Sequence, residues 1–95
     1  MRYDKVKYMS MFRTLSVIYT SDEAYEAVVS AIDKAVDLIR KSGMDALIRM
    51  EIDRLEISIR GDEEDIKRLI SKIRKRLEED LGELIEKGDV IVEET

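Results

Sequence analysis

Polar and apolar residues alternate between Met11 and Tyr19, the first regular pattern along the chain. One face of this segment would carry Met11, Leu15, Val17 and Tyr19, and the other Phe12, Thr14, Ser16 and Ile18. Such alternation is typical of a β-strand, whose successive side chains point to opposite faces of a sheet. The pattern therefore predicts a first strand over 11–19, which could begin upstream at Val6.

A helix is expected to follow this strand, because apolar residues then recur with a period of three to four. Thr20 and Glu23 fit a capping box, and acidic residues stand in the first turn, where the helix dipole favours them. The helix should run to about Lys41 and end at Gly43, a typical glycine C-cap.

Two strands should come next, over 46–52 and 55–60, joined by a two-residue turn at 53–54. The predicted register places Ile52 opposite Leu55, Met50 opposite Ile57, and Ile48 opposite Ile59. All six side chains would then lie on one face of the sheet, so the hydrophobic pattern and the register agree.

The last helix is expected to begin at Asp62 and to run to about Leu81, with a restart after Gly82 to Lys87. Its apolar residues fall within an arc of about 100°, the width of one core-facing stripe. They are Ile66, Leu69, Ile70, Ile73 and Leu77. After Gly88, the residues at 90–92 fit a short fourth strand.

The predicted order is β-α-β-β-α-(β) in a single α+β domain over 1–95. Two helices on one face of an antiparallel sheet make a ferredoxin-like two-layer sandwich, a common solution for burying the apolar face of a sheet.

The first helix carries more apolar residues than one packed face requires. They cover an arc of about 200°, which one sheet cannot bury. Part of this arc could pack on the second helix; the remainder would form an exposed strip of the kind that binds a protein partner. The predicted protein interface comprises Tyr25, Val28, Val29, Ile32, Val36 and Ile39.

The sheet face away from the helices is a second candidate surface. Phe12 and Ile18 would lie there among polar residues, so a solvent-facing role competes with a sheet-face dimer or an RNA platform. We include both residues in the predicted protein interface. An RNA platform is less favoured, because it needs two or three exposed aromatic residues.

Composition argues against catalysis. The chain has no His and no Cys, which removes the usual general base, the thiolate nucleophile and the commonest zinc ligands. We therefore expect no enzyme activity, no metal and no cofactor. Charged residues make up 41% of the sequence, and Asn and Gln are absent, a pattern of heat-adapted proteins. A designed or idealised sequence shares this composition, but the five Met residues and the irregular start over 1–11 favour a natural protein. No apolar segment is long enough to span a membrane, so a cytoplasmic location is expected.

Six cations crowd into 67–76, although the net charge is −5. Candidate RNA contacts are Lys67, Arg68, Lys72 and Lys75. Pairs at i,i+4 favour a solvated, salt-bridged helix face over a phosphate-binding surface. The expected pairs are Arg74–Glu78, Lys75–Glu79 and Arg76–Asp80.

Two segments carry a family resemblance. The strand at 15–19 with TSDEAYEAV (20–28), and EIDRLEISIRGD (51–62), resemble the small dimerising subunit of the KEOPS complex, the Pcc/LAGE family. Residues 66–71 also stand where that family shows Leu-Arg and Asn-Ser. The family's Asn-Ser-Tyr-Leu-Arg stretch is not kept, and 88–93 adds a strand, which favours a divergent paralogue that pairs with the standard subunit.

This resemblance implies a non-enzymatic accessory subunit that supports threonylcarbamoyladenosine modification of tRNA through protein–protein contacts. Its partners would be a second copy or a related subunit within a larger complex, with tRNA contacted only indirectly and no membrane involved. The alternative is a dimeric ferredoxin-like module that binds a small ligand or RNA.

Overall fold

The computed structural model describes residues 11–95. Within them, four strands and two helices follow one another in the predicted order β-α-β-β-α-β. The elements are β1 (Met11–Tyr19), α1 (Asp22–Ser42), β2 (Asp45–Met50), β3 (Arg54–Gly61), α2 (Glu63–Lys87) and β4 (Val90–Glu94). The predicted fourth strand is thus present. The predicted upstream extension of β1 to Val6 lies outside the described residues.

The strands form one antiparallel sheet in the order β2-β3-β1-β4. Both helices pack on one face of this sheet, where Leu15, Val17 and Leu55 are among the buried core residues. The predicted ferredoxin-like α+β sandwich is confirmed.

Local hydrogen bonds begin and end α1. The Ser21 side chain accepts a hydrogen bond from the backbone N–H of Ala24 at 3.1 Å, so Ser21 is the N-cap. The predicted capping box on Thr20 is wrong, because the Thr20 hydroxyl instead donates to the Asp89 carbonyl. At the other end Gly43 adopts a left-handed conformation and its N–H donates to the Arg40 carbonyl.

The β2–β3 hairpin has the predicted faces but a different register. Met50 lies opposite Leu55, so the pairing is shifted by two residues from the prediction. The Glu51 N–H donates to the Arg54 carbonyl at 2.8 Å, which places Ile52 and Asp53 in the turn. A two-residue shift keeps each side chain on its face, because the side-chain period of a strand is two.

The second helix carries the core-facing stripe that the sequence predicts. All five predicted residues are buried, and Leu81 joins them one turn later. The helix continues through Gly82 to Lys87 without the predicted restart. Within residues 11–95, no helix combines the length and the apolar character that crossing a membrane requires.

Two glycines near the end of α2 should respond oppositely to alanine. Gly82 is within the helix, and a Cβ there would meet no atom within 4 Å, so Gly82→Ala should stabilise the protein by about 0.5–1 kcal/mol. Gly88 has φ +83°, where a Cβ is strained, so Gly88→Ala should destabilise it by about 1 kcal/mol. Urea unfolding of both variants measures the difference, and a destabilised Gly82→Ala variant would contradict the first expectation.

Candidate protein-binding surface

The edge strand β2 is exposed along its whole length, including the side chains that face the helix layer. Ile48 and Met50 are 37% and 53% exposed, although their cross-strand neighbours Ile57 and Leu55 are buried in the core. Ala46 is also exposed beside the buried Ile59. The core therefore stops at β3, and β2 presents an apolar surface.

The position of the helices explains this exposure. Helix α2 lies against β4, β1 and β3, whereas α1 makes its main contacts with α2 and β1. Neither helix has its main contacts with β2. An apolar face that no helix covers remains in contact with water, which large apolar residues disfavour.

One row of α1 continues this apolar surface. Tyr25 is exposed, and Val29 and Val36 are half-buried. Tyr25 lines the same depression as Ile52 and Asp53 of the β2–β3 turn, so this row lies on the β2 side of the helix. We define the β2–α1 surface as Tyr25, Val29, Val36, Ala46, Ile48 and Met50.

The prediction of a broad exposed arc on α1 is wrong for three of its residues. Val28, Ile32 and Ile39 are buried in the core of the monomer. Ala27, Val36 and Leu38 also pack partly against that core. Most of the apolar arc is thus buried against the sheet and α2, which is the alternative that the sequence left open. The accessible part is the row from Tyr25 to Val36.

Tyr19 fixes the end of the surface at the β2–β3 turn. Its hydroxyl donates to the Glu51 carbonyl at 3.0 Å and lies 3.4 Å from the Arg54 carbonyl. Its ring meets the Tyr25 ring edge to face, with centroids 5.2 Å apart. Burial, and then the neighbouring Tyr25 and Asp53, raise the pKa of the Tyr19 hydroxyl. The protonated hydroxyl therefore remains a donor to the turn.

Within the turn, Asp53 and Arg54 form an ion pair at 3.3 Å. The hydrogen bond from Arg54 lowers the pKa of the Asp53 carboxyl below its usual value. Ile52 between Glu51 and Asp53 is almost fully exposed. The turn thus carries an apolar side chain on a backbone held by Tyr19.

The open face of the sheet, opposite the helices, is mixed in character. Phe12 is 68% exposed and Ile18 is half-buried, so Phe12 is the more accessible of the two predicted contacts there. The Thr14 and Ser58 hydroxyls hydrogen-bond at 3.0 Å across β1 and β3. Among residues 11–95, Phe12 is the one aromatic residue on this face, fewer than a stacking platform for RNA needs.

Salt bridges occupy part of the basic cluster on α2. Lys67 pairs with Glu63 at 3.4 Å, and Arg68 pairs with Asp65 at 3.0 Å. These two candidate RNA contacts are therefore partly neutralised by their own helix.

Further along α2, the predicted pairs Arg74–Glu78 and Arg76–Asp80 are confirmed. The predicted Lys75–Glu79 pair is not formed; Glu79 instead lies 4.0 Å from Arg76. In the described part of the chain, neither Lys72 nor Lys75 has a carboxylate within 4.0 Å. These two lysines are exposed, and their i,i+3 spacing places them side by side.

Across residues 11–95, no three acidic side chains converge in a way that could hold a metal ion. Every buried side-chain nitrogen or oxygen in the same range has a hydrogen-bond partner. The candidate site among these residues is therefore the exposed β2–α1 surface.

Comparison with known proteins supports the fold. The structure is similar to that of a de novo designed protein, Foldit4, with a TM-score of 0.59 and 15% sequence identity over 90% of this chain and 93% of the other. No family model matches the sequence, and neither does any curated protein at a significant level. At this identity the similarity concerns the arrangement of helices and strands alone.

Replacing Tyr19 with Phe should lower the free energy of unfolding by about 0.5–1.5 kcal/mol, the usual contribution of such a hydrogen bond. Because the Tyr19 pKa is raised in the folded protein, the unfolded state releases this proton first as the pH rises through about 10. Wild-type stability should therefore fall above that pH, and Tyr19→Phe should show a smaller fall.

Urea unfolding at pH 8 and pH 11 measures both effects. Tyr25→Phe is the matched control for the loss of stability at pH 8, because the Tyr25 hydroxyl forms no hydrogen bond to any residue within 11–95. Equal pH dependence in the wild type and Tyr19→Phe would contradict the assignment.

Proposed function

We propose that this chain is a non-enzymatic assembly subunit that binds a protein partner through the β2–α1 surface. The observation that carries the proposal is the exposure of Ile48 and Met50 on a strand that forms the edge of the described sheet. Burial of one such side chain contributes about 1.5–3 kcal/mol. A partner that covers this edge would gain that free energy together with backbone hydrogen bonds.

The family resemblance supports a more specific proposal. The segments at 20–28 and 51–62 resemble the small KEOPS subunit. They contain Tyr25, which belongs to the β2–α1 surface, and the β2–β3 turn, which lines the same depression as Tyr25. We assign the chain to a KEOPS-like complex in the cytoplasm of a heat-adapted cell. There it would pair with a second copy or a related subunit and support threonylcarbamoyladenosine modification of tRNA.

In this proposal the chain contacts tRNA only as part of the assembly, where a partner supplies most of the basic surface. The net charge of −5 opposes autonomous binding to phosphates. Lys72 and Lys75 are the cations on α2 best placed to extend a basic surface supplied by a partner, because both are exposed and lie side by side.

Affinity purification of the chain from its source cells should recover a different protein as a stoichiometric partner. Ile48→Glu should weaken that capture by about thirtyfold, since truncation of a central interface contact costs on the order of 2 kcal/mol. Ile91→Glu is the matched control: Ile91 is 44% exposed, on the opposite edge strand and the opposite face. Recovery of no partner, or equal loss in both variants, would contradict the proposal.

The double variant Lys72→Glu/Lys75→Glu should reduce tRNA retention by the purified complex without changing its subunit composition. If both lysines contact phosphates, the log–log salt slope should fall by about 1.4, since each contact on a single strand contributes about 0.7. Filter binding at several salt concentrations measures this slope.

Arg40→Glu/Lys41→Glu serves as the control for tRNA retention. It makes the same change in net charge at the exposed end of α1. Sequence-specific binding of RNA by the isolated chain at physiological salt would favour an RNA-binding module instead.

A further inference from the structure

The hydrogen bonds between β2 and β3 determine which backbone groups of β2 point outward, away from β3. In an antiparallel pair, residues that exchange hydrogen bonds alternate with residues that do not. The bond from the Glu51 N–H to the Arg54 carbonyl sets this alternation, so Leu47 and Arg49 bond to β3. The N–H and C=O groups of Ala46, Ile48 and Met50 therefore face the edge, where the described sheet has no further strand.

The sequence of β2 is complementary to itself in the antiparallel direction. When two copies of DALIRM (45–50) are centred on Leu47, each Leu47 lies opposite the other, and Ala46 lies opposite Ile48. The outward-facing groups of one copy then meet those of the other, as a ladder requires. Leu47, which is 62% exposed on the open face, gains an apolar neighbour.

Charge complementarity supports the same register. Asp45 of each copy lies opposite Arg49 of the other, so the pairing creates two symmetric ion pairs on the open face. Within one copy Asp45 is beside Arg60, and Arg49 is beside Glu56 and forms an exposed ion pair with Glu51 at 3.2 Å. The row across the joined sheet would thus alternate in sign, and opposite charges on directly opposed residues stabilise strand pairing.

Neighbouring registers lack this complementarity. Centred on Ile48, the pairing would place Asp45 opposite Glu51 and Leu47 opposite Arg49. Centred on Ala46, it would place Asp45 opposite Leu47. Like charges, or a charge facing an apolar side chain, destabilise such pairs. The Leu47-centred register is favoured over both.

The two edges of the sheet differ in the features that prevent strand pairing. Strand β4 ends in Glu93 and Glu94, and charged residues on an edge oppose its extension by another strand. Glu94 is also held by Arg74 of α2 at 3.2 Å. Strand β2 contains one acid and one base, and no proline. These two charges therefore favour a partner strand with complementary charges and do not prevent strand pairing altogether.

We propose that the partner at the β2 edge is a second copy of this chain. The two β2 strands pair antiparallel about a two-fold axis that passes between the two Leu47 residues. The dimer contains one continuous eight-stranded sheet, with all four helices on the same face. The two β2–α1 surfaces then merge into one symmetric apolar surface between the two α1 helices. This inference rests on the proposed function, because it names one partner of the same surface.

Cross-linking tests the register, because the native chain has no Cys. Leu47→Cys should form a covalent dimer in a glutathione redox buffer, since non-hydrogen-bonded opposed residues bring their Cβ atoms within disulfide reach. Ile48→Cys is the matched control: its thiol would lie opposite Ala46 of the second copy and should not form a dimer. Covalent dimer from Ile48→Cys but not from Leu47→Cys would overturn the register.

Charge reversal tests the ion pairs. Asp45→Arg alone and Arg49→Asp alone each place like charges at both symmetric positions, so each homodimer should dissociate about tenfold more readily. An equimolar mixture of the two variants should form a heterodimer that regains this affinity. The contacts within each chain are the same before and after mixing, so recovery reports the contact between chains. Sedimentation equilibrium measures all three, and circular dichroism confirms the fold of each variant.

The two proposals fail in different ways. A monomeric wild-type protein at 100 μM or above, or a mixture that does not recover, would overturn the dimer even if a different protein partner is captured through Ile48. A Leu47-linked dimer with charge-dependent affinity would support it even if no other protein is captured.

Discussion

The structure depends on how much of a four-stranded sheet two helices can cover. Helix α1 packs on α2 as well as on the sheet, and its buried stripe includes Ala24, Ala31 and Ala35. Small side chains permit close approach between packed elements. The helix layer therefore centres on β3, β1 and β4, and β2 extends beyond it. A wholly buried core and an apolar edge follow from the same packing.

This arrangement separates the residues that stabilise the monomer from the exposed apolar residues of β2. The side chains that hold the monomer together, such as Leu15, Ile57 and Ile73, are almost completely buried and lie between the helices and the sheet. The exposed side chains of β2, such as Ile48 and Met50, contribute less to the monomer because they remain in contact with water. Substitutions at the exposed positions of β2 should therefore destabilise the monomer less than substitutions of the core residues that α2 covers.

Sequence patterns predicted the elements well because periodicity reports which face of each element is apolar. They could not place β2 outside the helix layer, because Ile48 and Ile57 have the same apolar character and differ only in the strand's position within the sheet. The α1 arc misled for a related reason: α1 packs against both α2 and the sheet, so a wide arc that includes Val28 and Ile32 is buried. The predicted register of the β2–β3 hairpin was wrong because the hydrogen bond between Glu51 and Arg54 depends on backbone conformation. The apolar pattern could not reveal the error, since it is identical after a shift of two residues.

The central strand β1 comes first among the described elements, and its two neighbours are β3 and β4. Leu15 pairs with Ile57 on one side and with Glu94 on the other, so the second pairing joins residues from nearly opposite ends of the chain. Closing a long loop costs entropy before the contacts it permits can form. During synthesis, β1, α1, β2 and β3 can assemble into a three-stranded intermediate, but one side of β1 stays unpaired until β4 leaves the ribosome. Until then, the nascent chain exposes two edges that could capture a strand.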